Sequence, residues 1–257
     1  HVLVFNGGEG IGPDVAANIT GDTVIGGVTV SGGNADGDVY DRTGGGLFCD
    51  GEGSSNVCSP QITNATFASN SADESGGAIY NRGTDGESNP QITNATFTGN
   101  AAGFFGGAVY NYGVNGESSP QITNATFAGN SAGNRGGAIY NYGSFGASSP
   151  QITNSILWEN SAGGDGNEIY NQDATPTLSY TLVDGGVNGD GIFNQNDSST
   201  IDGDDNPRAN ATPDFVDAAN PAGPDGTFGT EDDGLRLAFG SDALDVGDNA
   251  AVPSGVT

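Results

Sequence analysis

The sequence predicts an all-β protein whose chain winds into a β-solenoid, a single-stranded parallel β-helix. The string PQITN recurs with a constant spacing of 30 residues, at Pro60, Pro90, Pro120 and Pro150. The segments between glycine and asparagine clusters are short and rich in β-branched and aromatic residues. The 46 glycines among 257 residues leave no long stretch of helix formers. Copies so alike cannot each enclose a core, so each must bury its apolar face against the next copy.

Each repeat contains two clear strand signals, GAIYN and PQITNATF. A connector such as residues 82–89 joins them, and a turn around NSADESG leads to the next coil. The phenylalanine ladder is predicted to be interior and the asparagine ladders to lie at bends, where stacked amides bond to turn backbone and to one another. Unless a bend intervenes, alternation places Ile62 and Asn64 on one face, and Thr63, Ala65 and Phe67 on the other.

The flanking sequence resembles degenerate coils of the same solenoid. We predict about nine coils in one elongated domain. Residues 1–183 form the β-helix, with four regular repeats from about 60 to 175, and residues 184–257 form irregular acidic coils. The segments counted as flanking coils are 23–34, 44–50, 175–186, 212–217 and 234–248.

The charge balance excludes several classes of partner. The chain has five arginines, no lysine and 32 acidic residues, with a formal net charge of −27. Nucleic-acid binding requires a basic surface, so it is not expected. No apolar run is long enough to cross a membrane, so membrane insertion of this segment is not expected either. A cationic partner, a divalent metal or very salty water fits this composition.

The motif pair GGAIYN and FxxN resembles the right-handed β-helices of polymorphic outer membrane proteins and autotransporters. The flanks are similar to secreted bacterial "choice-of-anchor Q" β-helix proteins, in stretches 26–37, 44–48, 223–237 and 241–253. The resemblance implies a right-handed coil and an exported protein of the cell surface or matrix. It also implies further sequence before His1 and after Thr257 in a longer precursor.

Cys49 and Cys58 are the only cysteines of the chain. If the protein is exported, a disulfide between them is expected, and it would fix the connector that differs most from its neighbours. The alternative is a pair of free buried thiols.

The acidic stretches 201–206 and 224–233 have the character of hard-cation sites. Calcium takes six to eight oxygen ligands from carboxylates and carbonyls on tight loops. We predict calcium as a cofactor, with ligands drawn from Asp202, Asp204, Asp205, Asp225, Asp232 and Asp233. The alternative is a solvated acidic surface like that of halophile proteins.

A tyrosine ladder recurs with the repeat, at Tyr80, Tyr110, Tyr140 and Tyr170. An exposed stripe of this kind could stack on sugar rings and bind glycans. The alternative, which we favour, is a ladder that packs along the solenoid.

No catalytic constellation can be assembled from the sequence. The one histidine is residue 1, lysine is absent and the arginines are scattered. A Ser/His/Asp or Cys/His set is therefore excluded, and no carboxylate pair is marked as buried or perturbed. We expect no enzyme, and a polysaccharide lyase or hydrolase is the least favoured hypothesis.

The ends of a solenoid carry unpaired strand edges, and HVLVFN at residues 1–6 is a bare apolar strand. Another copy of the chain, stacked head to tail, would satisfy such edges and give an open filament. We therefore predict an extracellular structural protein that self-assembles into a surface or matrix fibre, with calcium as stabiliser. The alternative is an adhesin stalk or carbohydrate-binding module.

Overall fold

The fold is a parallel β-solenoid, as the sequence predicts, and it is right-handed, as the family resemblance implies. The computed structural model describes residues 3–6, 19–37, 41–186, 190–195, 212–244, 247–248 and 250. These residues contain 21 short strands, arranged in three parallel sheets that run along the solenoid axis. No helix of this described part is long and apolar enough to cross a membrane.

The first sheet is built from the GAIYN segments and their counterparts in the flanks. Its seven strands lie in register, so that Tyr110 is paired with Tyr80 on one side and Tyr140 on the other. In spatial order they are β1 (Leu3–Asn6), β5 (Leu47–Asp50), β8 (Ile79–Arg82), β11 (Val109–Tyr112), β14 (Ile139–Tyr142), β18 (Ile169–Gln172) and β21 (Ile192–Asn194).

The second sheet is built from the PQITNATF segments. Its central strands are eight residues long, and the strands at either end are split in two. Along the axis it comprises β2 (Val24–Gly26) with β3 (Thr29–Ser31), β6 (Gln61–Ala68), β9 (Gln91–Thr98), β12 (Gln121–Ala128), β15 (Gln151–Thr153) with β16 (Ile156–Trp158), and β19 (Thr177–Ser179) with β20 (Leu182–Val183).

The third sheet lies where the sequence predicts only a turn. Each of its strands has two residues, which is too short for an alternation pattern to reveal. They are β4 (Asn34–Ala35), β7 (Ser71–Ala72), β10 (Ala101–Ala102), β13 (Ser131–Ala132) and β17 (Ser161–Ala162).

The described residues form fewer coils than the nine predicted. The three sheets contain seven, six and five rungs. Two stretches that we counted as coils, 212–217 and 234–248, instead contact each other through an antiparallel bridge between Phe215 and Leu237. Apart from this bridge, residues 212–244 consist of turns and irregular segments in the described structure.

A bend inside the second sheet changes the predicted alternation. Asn64 has a φ of 49°, in the left-handed region that asparagine adopts more readily than most residues. This bend lets Ile62 and Phe67 both reach the interior, where each is fully buried. Asn64 itself is exposed and accepts a hydrogen bond from Asn94 Nδ2 at 3.1 Å. The simple alternation was therefore wrong, whereas a bend at the asparagine ladder is confirmed.

The core is a stack of equivalent apolar side chains, one per coil. Phe67 and Phe97 are parallel with ring centroids 5.1 Å apart, and Phe97 and Phe127 follow at 4.5 Å. All three phenylalanines are fully buried, so the predicted interior ladder is confirmed.

Two rows of buried asparagines also run along the axis. In the first amide row, Nδ2 of each asparagine donates to Oδ1 of the asparagine in the following coil, at 2.8–3.0 Å. The second amide row is formed by asparagines of the first-sheet strands. Their Nδ2 groups also donate to the asparagine of the following coil. The first row is Asn70, Asn100, Asn130 and Asn160, and the second is Asn81, Asn111, Asn141, Asn171 and Asn194.

Glu168 ends the first amide row. It replaces the interior alanine of the other repeats, such as Ala138, and is only 1% exposed. Its carboxylate accepts hydrogen bonds from the backbone N–H and the Nδ2 of Asn160. Burial raises the pKa of Glu168 to about 8, an effect larger than the opposing hydrogen bonds from Asn160. The side chain thus provides the acceptor that the next coil would otherwise supply.

Candidate functional site

A polar groove runs along the outside of the solenoid, between the connectors and the second sheet. It has a volume of about 610 Å³ and spans four coils. Its position follows from alternation in the sequence ESNPQ and its counterparts. Ser88 and Pro90 point inward and are buried, so Glu87, Asn89 and Gln91 line the groove.

Three rows of equivalent side chains line this groove. One wall is formed by the glutamate row, the floor by the serine row and the other wall by the glutamine row. The glutamate row is Val57, Glu87, Glu117 and Ala147; the serine row is Ser59, Asn89, Ser119 and Ser149; the glutamine row is Gln91, Gln121 and Gln151.

The floor is held in place by hydrogen bonds between coils. The backbone N–H of Asn89 donates to Ser59 Oγ at 3.1 Å, and that of Ser119 donates to Asn89 Oδ1 at 2.6 Å. Ser149 repeats the contact by donating its N–H to Ser119 Oγ at 3.0 Å. The floor is therefore preorganised, and the hydroxyl hydrogens of Ser59 and Ser119 are left available to a ligand, whereas the Ser149 hydroxyl forms a hydrogen bond with that of Thr175 at 2.6 Å.

The N-terminal end of the groove is occupied by the protein's own backbone. The first coil has two more residues between its pairing points Ile19 and Val24 than the second coil has between Cys58 and Gln61. The resulting bulge brings the Gly21 carbonyl within 2.6 Å of Gln61 Nε2, which donates a hydrogen bond to it. A glutamine at this position can therefore bind an oxygen acceptor.

The three glutamines that line the groove are exposed. Within the described part of the chain, their side-chain amides have no hydrogen-bond partner. On the opposite wall, Glu87 and Glu117 occupy equivalent positions in adjacent coils, where their backbones form a parallel β-bridge. No arginine is among the described residues that line the groove. The site is thus rich in hydrogen-bonding groups and negative in charge.

The sequence analysis missed this groove. The signal was the alternation of outward polar and inward small residues before each PQITN segment, in ESNPQ, ESSPQ and ASSPQ. The sequence predicts these residues to be a connector without regular structure, so the alternation does not by itself indicate a surface.

The tyrosine ladder is buried. Tyr80, Tyr110, Tyr140 and Tyr170 are 9%, 8%, 3% and 1% exposed. Their rings contact one another, as in the parallel pair Tyr140 and Tyr170 with centroids 5.1 Å apart. Burial raises the pKa of the Tyr80 and Tyr110 hydroxyls above the ordinary range. The rings therefore pack along the solenoid, which is the alternative we favoured, and they offer little surface to a sugar.

The predicted calcium ligands lie in two regions. Asp202, Asp204 and Asp205 are outside the described residues. In the described loop the other three carboxylates accept backbone N–H groups: Asp225 from Thr227 at 2.7 Å, Asp232 from Asp225 at 3.1 Å and Asp233 from Gly229 at 2.7 Å. A hydrogen bond from the Thr230 hydroxyl is the main reason that the pKa of Asp232 is lowered. No group of three or more acidic, histidine or cysteine side chains comes together in the described part.

The expected disulfide is present between Cys49 and Cys58, with an S–S distance of 2.07 Å. Both cysteines are fully buried. Cys49 occupies the position that Asn81 takes in the next coil, so the disulfide replaces the second amide row in this coil. The bond closes the connector formed by residues 50–57.

Replacing both cysteines is expected to lower the free energy of unfolding of the N-terminal coils by about 2–3 kcal/mol, because the unfolded loop regains entropy. Urea denaturation of Cys49→Ala/Cys58→Ala and of the unmodified protein, both with and without reductant, measures this difference. Reductant should change the unmodified protein alone. Equal midpoints for the two proteins without reductant would contradict the prediction.

Part of the chain matches the model of a known protein family. The model of the Chlamydia polymorphic membrane protein (Chlamydia_PMP) repeat matches residues 64–82 and 124–142. Both segments run from the bend of a second-sheet strand, through a third-sheet strand, to the end of a first-sheet strand. They therefore contain the FxxN and GGAIYN motifs, and the match is consistent with a cell-surface location.

No curated protein and no solved structure matches this chain. The likeness to choice-of-anchor Q proteins rests on the flanking stretches of the sequence alone.

Proposed function

We propose that the chain is a structural protein of the cell surface that assembles head to tail into filaments. The observation that carries this proposal is the state of the solenoid ends. Strands β1 and β21 are the two edges of the first sheet, and among the described residues no strand pairs with their outer sides. The second sheet ends in the same way at β2 and at β19. Such edges present unpaired backbone groups that another copy can satisfy.

The direction of the amide rows supports head-to-tail rather than head-to-head stacking. The second amide row donates toward the C-terminal end and reaches the last strand at Asn194, whereas Cys49 takes the asparagine position near the other end, so the two ends of the rod differ. A contact between unlike ends is heterologous, and it gives an open fibre when the rotation does not close. The match to a polymorphic membrane protein repeat supports placing this fibre at the cell surface.

Calcium is proposed as a stabiliser of the C-terminal part. The net charge of −27 repels itself, and a divalent cation would neutralise part of it. One loop carries Asp225, Asp232 and Asp233, whose carboxylates accept backbone N–H groups and would have to move together to bind one ion. Oxygen ligands on a turn of this kind match calcium chemistry.

Electron microscopy of the purified protein, first with calcium and then with EDTA, tests assembly and its cation dependence. We expect uniform fibres a few nanometres wide with calcium and their loss in EDTA. Short isolated rods in both conditions would overturn the filament and favour a monomeric stalk. Fibres that persist in EDTA would contradict the role of calcium alone.

A matched pair of variants tests whether copies of the chain contact each other through the ends of the solenoid. Phe193 in β21 stacks on Tyr170 with centroids 5.0 Å apart and remains 37% exposed at the end of the first sheet. Phe193→Lys places a charge where the next copy would stack, so it should abolish fibres and leave the rod folded. Phe145→Lys changes a connector residue that is 94% exposed away from both ends, so it should leave fibres intact. Equal effects of the two variants would argue against end stacking.

A carbohydrate-binding surface module is the second candidate function. The groove, which is lined by exposed glutamines together with serines and glutamates, favours it, because these are the groups that form hydrogen bonds with sugar hydroxyls.

A further inference from the structure

We propose that the polar groove binds an extended chain of amino sugars, with one sugar unit facing each coil. This inference rests on the second candidate function and assigns it a site and a ligand class. It moves the expected glycan contact from the buried tyrosine ladder to the three rows that line the groove.

The spacing of the rows selects the kind of polymer. Equivalent groups recur along the groove at the strand spacing, about 4.8 Å. An extended polypeptide presents groups on one side about every 6.7 Å, so it would drift by about 2 Å per coil. A chain of pyranose rings linked through equatorial oxygens advances by roughly one ring length per unit, close to the strand spacing. Each sugar of such a chain is turned over relative to the one before it, so alternate sugars can meet the same set of side chains in every second coil.

The hydrogen-bonding groups suit sugar hydroxyls, which both donate and accept. The amides of Gln91, Gln121 and Gln151 are exposed and without partners in the described part of the chain. The contact between Gln61 Nε2 and the Gly21 carbonyl, at 2.6 Å, shows how a glutamine in this row engages an oxygen over the groove. In the three following coils, a ligand would take the place of that carbonyl.

The charge of the groove selects a cationic sugar. Glu87 and Glu117 lie on one wall in adjacent coils, and no arginine is among the described lining residues. An acidic polysaccharide would meet like charges here, in a protein whose net charge is already −27. An ammonium group on a sugar bound beside Glu87 or Glu117 would instead face a carboxylate.

The groove also sets a length for the ligand. The backbone bulge at Thr20 and Gly21 blocks it at one end, and its serine row spans four coils. Affinity should therefore rise with each added sugar and level off at about four units.

Calorimetric titration with β-1,4-linked glucosamine oligomers of two, four and six units tests the proposal. The Phe193→Lys protein is used, so that assembly does not affect the result. We expect the tetramer to bind at least tenfold more tightly than the dimer, and the hexamer to bind like the tetramer. The N-acetylated tetramer should bind more weakly, and a galacturonate tetramer should not bind.

Two groove variants and one control locate the site. Glu87→Gln/Glu117→Gln should weaken glucosamine binding about tenfold, and Gln91→Ala/Gln121→Ala should weaken binding of both glucosamine and its N-acetylated form. Glu159→Gln/Asp165→Asn removes the same charge at exposed residues outside the groove lining and should change little. An equal loss in this control would show non-specific attraction of a polycation and would overturn the site.

The remaining outcomes distinguish failure of the groove as the binding site from failure of the carbohydrate-binding function. Glucosamine binding that the groove variants leave intact would place a glycan site elsewhere and overturn the groove alone. No binding of any oligomer would overturn both the groove and the carbohydrate-binding function. Neither result bears on filament formation, which the microscopy decides.

Discussion

Phe97→Asp is expected to unfold the middle of the solenoid. The Phe97 ring is fully buried between Phe67 and Phe127, with centroids 5.1 and 4.5 Å away. An aspartate there removes both ring contacts and places an unpaired carboxylate in the core. The combined penalty is on the order of 5 kcal/mol, which exceeds what a few coils can absorb.

Limited proteolysis with mass spectrometry measures this effect. New cleavage sites should appear between residues 91 and 128, while the terminal coils fray later. Thr96→Asp is the matched control, because Thr96 lies beside Phe97 on the same strand but is only half-buried. Protease resistance in Phe97→Asp equal to that of the control would rule out an interior phenylalanine stack.

The stability of the C-terminal coils is expected to fall as the pH rises from about 5 to 8. The folded protein holds the Glu168 proton with a pKa of about 8, whereas an unfolded glutamate loses it near its ordinary pKa of 4.5. Between these values the folded state binds more protons, so raising the pH favours unfolding. The slope from this one group is at most about 1.4 kcal/mol per pH unit. Asp184 and Glu159 act in the same direction by repelling the ionised form.

Denaturant unfolding from pH 5 to 9 measures this dependence, and Glu168→Gln isolates it. The variant keeps an oxygen acceptor for Asn160 but cannot ionise, so the difference between the two proteins should shrink or reverse as the pH rises. Glu168→Ala restores the residue of the other repeats but leaves the donors of Asn160 unpaired, at a pH-independent cost of about 1–3 kcal/mol. Parallel pH profiles of the original protein and Glu168→Gln would disprove the role of this carboxyl.

Much of the fold could be predicted because the sequence repeat identifies which residues occupy equivalent positions in successive coils. The 30-residue period fixes the in-register stacking, and the phenylalanine ladder identifies the interior. The bend at Asn64 could not be predicted from alternation, since one residue in the left-handed region shifts every later residue to the other face. The number of coils was overestimated because a strand-like sequence does not reveal its partner, as Phe215 and Leu237 show.

The candidate site was less predictable than the fold. The sequence shows that the tyrosines recur as a ladder but not whether they are exposed, and in the structure rings from neighbouring coils and from Phe105 cover them. Such covering depends on residues 30 or more positions apart, which a local pattern does not show. The groove has the opposite character. Its residues are ordinary polar side chains, and only their stacking makes them a continuous surface.

The identity of the central repeats has a consequence for how the chain reaches its native state. The PQITNATF segments in β6, β9 and β12 are the same sequence, so β6 could pair with β12 and exclude a whole coil as a loop. Doubling the closed loop costs only about 0.6 kcal/mol of chain entropy, which is a weak barrier to such slippage. Correct registry must then come from the parts that are not repeated: the Cys49–Cys58 bond, the bulge held by Gln61 and the Glu168 terminus. The non-repeated features at the two ends of the regular repeats therefore set the register in which the repeats pair during folding.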